Sequence, residues 1–270
     1  MGAHKAGTSW LFLQLRRHKQ LWAPPIKELH YFDHVHVEAN RSWTAAHIHG
    51  AVRRTLTTQL AKPNVDWAYV RYLADLAGHE LFTEAWYRRC FDRPRARDLL
   101  SFDVTPEYCT IGAAGVEHVL ALLPQVKILY IVRDPLQRAL SQMRVEVARR
   151  AGRGIQPDER MLLQMCQHPG IADRGNYRGH IPLWQARMPD ERLLILPYGL
   201  LRQDAAAFMR RIEAFLGIDA GDDYALDEQV HVSEKVVFPS SVHERLTEIC
   251  APQAEYLEQA FGADFLRATL

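Results

Sequence analysis

The stretch that most restricts how this chain can fold is Val126-Lys127-Ile128-Leu129-Tyr130-Ile131-Val132. A β-branched, nearly continuous apolar run has no polar face to offer water, so it suits a strand buried on both sides of a parallel sheet. The spacing predicts a helix over 116–123, broken by Pro124, before this strand. Arg133-Asp134-Pro135 ends the strand, and a helix resumes through Leu136, Leu140 and Met143. Further strands are expected at 99–104 and 192–196, and helices at 10–18, 181–187, 204–216 and 241–262. Gly217 stands at a C-terminal cap position, 149–157 reads as an exposed loop, and 227–240 reads as irregular. Strands alternating with helices imply an α/β fold whose central parallel sheet is flanked by helices.

Composition excludes several classes of function. Apolar residues make up 48% and charged residues 24%, ordinary values for a folded globular chain. A formal net charge of +1 supplies no whole-protein field for nucleic acid, so any anion must be recognised locally. The four cysteines lack a CxxC pair, which argues against a zinc site or disulfide scaffold and for a reducing, cytoplasmic setting. No apolar run reaches the roughly 18 residues that a membrane span requires. Neither a linker nor an internal repeat divides the 270 residues, so a single domain is expected. Within it, 34–98 reads as helices and loops, a candidate acceptor-side region. Its aromatics, Trp43, Trp67, Tyr69, Trp86 and Tyr87 with His47 and His49, fit either a core or a sugar-facing wall.

The first ten residues, Met1-Gly2-Ala3-His4-Lys5-Ala6-Gly7-Thr8-Ser9-Trp10, bracket a lysine with glycines and run straight into an apolar helix. Glycines let backbone N–H groups turn inward, and a helix N-terminus adds positive partial charge. The loop fits an anion cradle or an ordinary glycine turn. It lacks the Gly-Lys-[ST] of a nucleoside-triphosphate loop. Arg133, where the 126–132 strand ends, and Ser141, in the helix beyond, are positioned to hold one phosphate. The alternative is an Arg-Asp turn salt bridge followed by a solvent-facing serine.

Together, G-x-x-K-x-G-T-S and I-V-R-D-P-x-x-R-A-x-S-Q resemble the sulfotransferase family, whose donor is 3′-phosphoadenosine 5′-phosphosulfate. Lys27-Glu28-Leu29-His30-Tyr31-Phe32-Asp33 is similar to the K-E-x-H-[FY]-F-D element of its heparan-sulfate and bacterial branch. Thr105-Pro106-Glu107-Tyr108, Gly175-Asn176-Tyr177 with Trp184, and Phe215-Leu216-Gly217-Ile218 resemble further family elements. The resemblance implies a P-loop-like three-layer sandwich. It also implies a 5′-phosphosulfate site at Lys5, Ala6, Gly7, Thr8, Ser9 and Trp10, a 3′-phosphate site at Arg133 and Ser141, and no metal.

In this resemblance Glu28 takes the place of the general base, and His30 is a second candidate by analogy with small-molecule members. Lys5 would neutralise charge on the leaving oxygen; Lys27 either touches the sulfate or is a solvated neighbour. Val104 stands where heparan-sulfate enzymes carry a sulfate-binding lysine. Only Met1 precedes Gly2, where the family places a strand, so a truncated first strand and an upstream start are expected. The acceptor is a hydroxyl or amine of a carbohydrate, lipid or small molecule. A P-loop nucleotide kinase and a catalytically silent nucleotide-binding module are the competing functions.

Overall fold

The computed structural model describes residues 1–93, 98–228 and 236–270. Residues 94–97, in the expected acceptor-side region, and 229–235, in the expected irregular stretch, lie outside it. Elements are numbered in chain order. Helix α1 (Thr8–Leu15) and strand β1 (Leu21–Trp22) lead into a helical block of α2 (Tyr31–His36), α3 (Arg41–Leu60), α4 (Trp67–Gly78) and α5 (Glu84–Arg89). Strand β2 (Leu100–Ser101) and helix α6 (Gly112–Leu122) precede the apolar run, which forms β3 (Ile128–Val132). Helices α7 (Pro135–Ala151), α8 (Glu159–Cys166), α9 (Pro169–Ala172) and α10 (Tyr177–Gln185) separate it from β4 (Leu193–Pro197). Helices α11 (Tyr198–Gln203), α12 (Ala205–Leu216), α13 (Ser240–Phe261) and α14 (Ala263–Ala268) complete the order.

Strand β3 is central, as its sequence requires. On one side it pairs in parallel with β4, Ile128 opposite Leu193 through Val132 opposite Pro197. On the other side Gly2 bridges Ile131 in parallel, and the Ala3 N–H donates to the Ile131 carbonyl at 3.0 Å. The terminal ammonium of Met1 donates to the Leu129 carbonyl at 2.9 Å. The residues just before the glycine loop thus run along the edge of β3. Strand β1 pairs in parallel with β2.

Two large apolar clusters cover the strands. One joins Tyr130, Ile131 and Val132 to Trp10 and Leu11 of α1 and to Phe208 and Ile212 of α12. The other joins Ile128 to Val116 of α6 and to the helical block through Ile48, Leu73, Leu76 and Trp86. Trp86 and Tyr87 are core residues, whereas Trp67 is 65% exposed. Burying one such aromatic stabilises the fold by about 1.5–3 kcal/mol.

Two expectations change, and one strand is new. The 149–157 loop begins later, because α7 runs on to Ala151. Asp134 caps its start by accepting from the Gln137 N–H at 2.8 Å, and a Glu146–Arg149 pair at 2.7 Å supports its last turns. The 99–104 strand shrinks to β2, whose two residues are both exposed. Strand β1 carries too short a pattern to reveal a period of two, and the chain's partner for it lies nearly eighty residues on.

Candidate active site

The C-terminal end of β3 and the loop before α1 form the centre of the site. Lys5 and Gly7 both take left-handed backbone angles, φ 73° and 81°. This folds the loop back so that the Ala6 N–H donates to the Ala3 carbonyl at 3.1 Å. A side chain at position 7 would strain that angle and would press on Tyr198 and Leu201 at 3.1 Å. No side chain caps α1, so its first N–H groups face the loop with the positive end of the helix dipole. Ala6 and Thr8 are buried, Ser9 is half-buried, and the Trp10 indole packs edge-on against Phe208 with ring centres 6.3 Å apart. Trp10 can therefore serve an anion only through its backbone.

Arg133 joins this loop directly: its Nη1 donates to the Lys5 carbonyl at 2.8 Å. Its guanidinium lies over the Tyr198 ring, 4.8 Å from the centroid, while its Nε is buried without a partner. The Tyr177 hydroxyl accepts from the Arg133 N–H at 3.2 Å and donates to the Arg133 carbonyl at 2.8 Å. The G-N-Y element therefore clamps the strand end. Ser141 is buried two turns into α7, about 9 Å along the axis from Pro135.

Glu28 and His30 also have left-handed backbones, φ 63° and 53°. Such angles cost about 1–3 kcal/mol each in residues other than glycine and persist where the surroundings impose them. Three of the four described non-glycine residues with positive φ are Lys5, Glu28 and His30. The Glu28 carboxylate pairs with Lys27 on one side and lies 3.5 Å from His30 Nε2 on the other. His30 is 1% exposed, and its Nδ1 stands 3.1 Å from both Asp33 oxygens. Asn40 donates to Asp33 at 2.8 Å, which fixes that carboxylate in turn. Burial works against a charged imidazole, yet Asp33 and Glu28 outweigh it and raise the His30 pKa to about 10. His30 is therefore an imidazolium near neutral pH. Burial likewise opposes the Glu28 charge, but His30 and Lys27 hold its carboxyl well below the usual range.

The Lys5 ammonium has no hydrogen-bond or ion-pair partner among the described residues. Burial lowers its pKa, as do the charges of Arg133 and Lys27, while Glu28 raises it. A nearly neutral chain has gathered cations around one carboxylate.

The motifs left four contributors without a role. His4, inside the loop, sits 2.7 Å from Gln142, the neighbour of Ser141, and 3.9 Å from Glu107. Glu107 is 3% exposed and pairs with Arg174 at 2.7 Å. His4 within the glycine loop, Glu107 within T-P-E-Y and Gln142 at the end of I-V-R-D-P-x-x-R-A-x-S-Q were visible signals; Arg174 had none. Ligand atoms of Glu28, His30 and Glu107 lie within 4.8 Å of one another. Lys27 and Arg174 already compensate the two carboxylates, and His30 is protonated, so this trio is neutralised by the protein's own cations. Trp43 and His47 pack edge-on against His30 at 4.7 and 4.9 Å, whereas Trp86 and Tyr87 belong to the core.

Comparison with known proteins agrees with this arrangement. The chain is 26% identical over 141 residues to mouse (Mus musculus) heparan sulfate glucosamine 3-O-sulfotransferase 3B1, covering 50% of this chain and 35% of that protein. It is 30% identical over 154 residues to the Xenopus laevis bifunctional heparan sulfate N-deacetylase/N-sulfotransferase 1, covering 52% and 17%. The chain thus spans about a third or less of the length of these relatives. A sulfotransferase from Alicyclobacillus acidocaldarius superposes with a TM-score of 0.68 at 18% identity, over 99% of this chain and 96% of the other. The sulfotransferase domain of the Synechococcus PCC 7002 olefin synthase gives 0.57 at 18%, over 94% and 92%. These two share the fold. The model of the sulfotransferase family matches residues 1–222, and with its loop, strand-end arginine and K-E-L-H-Y-F-D element in one site, the chain belongs to the sulfotransferase family.

Proposed function

We propose that this chain is one catalytic domain that transfers a sulfuryl group from 3′-phosphoadenosine 5′-phosphosulfate to a hydroxyl or amine of a carbohydrate acceptor. The observation that carries the reading is the meeting at Lys5 of Arg133, Lys27 and a Glu28 carboxylate kept ionised by His30. The orphaned Nε of Arg133 and the uncapped start of α1 fit a donor bearing phosphates at both ends. Such a donor supplies an activated sulfuryl group on a phosphate leaving group.

Glu28 takes the proton from the acceptor oxygen or nitrogen as that atom bonds to sulfur and the bond from sulfur to the bridging phosphate oxygen breaks. Lys5 and the backbone N–H groups of residues 7–10 neutralise charge on the departing oxygen, with Thr8 and Ser9 as further donors. Arg133 and Ser141 hold the 3′-phosphate. His30, protonated and fixed by Asp33, positions Glu28 and is not itself the base. Partial identity to heparan sulfate enzymes supports a carbohydrate acceptor. All four cysteines are free and buried, which suits a reducing compartment such as the cytoplasm, and no helix among the described residues is long and apolar enough to cross a membrane.

Thermal-shift titration separates this reading from a nucleotide kinase. 3′-Phosphoadenosine 5′-phosphate is expected to stabilise the protein and ATP with Mg²⁺ is not. The opposite result would refute the assignment.

A further inference from the structure

Helices α7 and α13 and the segment 171–176 line a half-open cavity of about 250 Å³ away from the loop site. Pro135, Arg138, Asn176, Cys250 and Gln253 line it, with the exposed Asp173 among its walls. It shares no lining residue with the 3–10 loop, Glu28, Arg133 or Ser141. Its notable feature is Arg138, which is 1% exposed.

The Nη2 of Arg138 donates to the Ile171 carbonyl, but Nε and Nη1 are buried with no partner. No carboxylate stands within ion-pair distance of this guanidinium among the described residues. The side chain lies flat on Gly175, where a Cβ would come within 2.6 Å of Nε and Nη2. A buried lysine can shed its charge, whereas a guanidinium cannot do so near neutral pH. An unpaired buried cation with two orphaned donors is a large electrostatic debt unless something negative meets it.

The walls favour an anion. The Asn176 amide oxygen already accepts from the Gly179 N–H and from Gln253, which leaves its amide nitrogen as a donor. Burial raises the Cys250 thiol to about 11, so this wall is neutral. Asp173 is the opposing charge and, being exposed, it is screened by solvent and salt. The volume far exceeds the ~30 Å³ share of one water. We propose that this cavity is an anion site separate from the donor cradle, holding a small tetrahedral oxyanion, inorganic sulfate or phosphate, against Arg138.

The test is thermal unfolding with sodium sulfate, against sodium chloride at matched ionic strength. The titration is run without and with saturating 3′-phosphoadenosine 5′-phosphate, which fills the donor cradle. Sulfate at ten times its dissociation constant is expected to raise Tm by about 3–6 °C. Arg138→Met should abolish the response. Cys250→Asp, which sets a fixed carboxylate on the cavity wall near Arg138, should abolish it as well. If Arg138→Met does not fold, Cys250→Asp decides. It also decides if the bisphosphate does not bind, because it leaves the loop cradle intact. No rise beyond chloride, a rise that survives Cys250→Asp, or one that disappears when the bisphosphate binds would overturn the proposal.

Discussion

The Tyr177 hydroxyl and the Arg133 backbone exchange two hydrogen bonds, one accepted at 3.2 Å and one donated at 2.8 Å. Strand β3 ends at Val132, so the Arg133 N–H and carbonyl lie just beyond the ladder, and a fully buried phenol completes them. Tyr177→Phe leaves both groups unpaired. It should cost about 1–3 kcal/mol of stability and weaken binding of 3′-phosphoadenosine 5′-phosphate, with kcat nearly unchanged. Urea unfolding and a bisphosphate titration check this; wild-type affinity would show that Arg133 needs no clamp.

Glu28 and Lys5 should fail in different ways. Glu28→Gln keeps the side chain's shape but removes the proton acceptor, and kcat should fall about 10²–10⁴-fold while bisphosphate affinity holds. Lys5→Met should lower both turnover and bisphosphate affinity. Single-turnover rates and calorimetry distinguish the two, and a fully active Glu28→Gln would move the base elsewhere.

The His30 pKa, raised to about 10, gives a defined pH signature. Between the unfolded value near 6.5 and about 10, the folded protein holds one more proton than the unfolded chain, so stability falls as pH rises. The contribution is complete below about 6.5 and is lost above 10. Glu28 acts on the acid side, where its contribution is lost as pH falls below the ordinary carboxylate range. Relative to wild type, His30→Gln should flatten the decline between pH 7 and 10 in chemical denaturation. An unchanged slope would mean that the imidazole is neutral.

Gly7→Ala tests the loop's geometry. Its φ of 81° and the 3.1 Å approach to Tyr198 and Leu201 should together cost about 1–3 kcal/mol. The shift also displaces the N–H groups opening α1, so bisphosphate affinity should drop at least tenfold. Loss of stability with affinity intact would separate the glycine from anion binding.

Legibility followed the range of the interactions. The apolar run that became β3, the glycine loop with its helix and the Gly217 cap at φ 76° could be read because each depends on neighbours within a few residues. Strand β1 was missed because a distant partner at Leu100 decided it, whereas the late end of α7 was misjudged although its Glu146–Arg149 pair is local. Lys5, Glu28, His30 and Arg133 were identified by residue type and spacing, but their charge states were not.

The sequence by itself determined a parallel α/β fold, a cation-bearing loop before a helix, and a carboxylate and histidine two residues apart. The tertiary structure alone decided that Asp33 and Glu28 keep His30 protonated, that Tyr177 completes Arg133, and that His4, Glu107, Gln142 and Arg174 join the site. It also decided that Arg138 is a buried cation without a carboxylate. Ionisation and hydrogen bonding depend on distances across the folded chain and on the water that burial removes, and no local pattern encodes either.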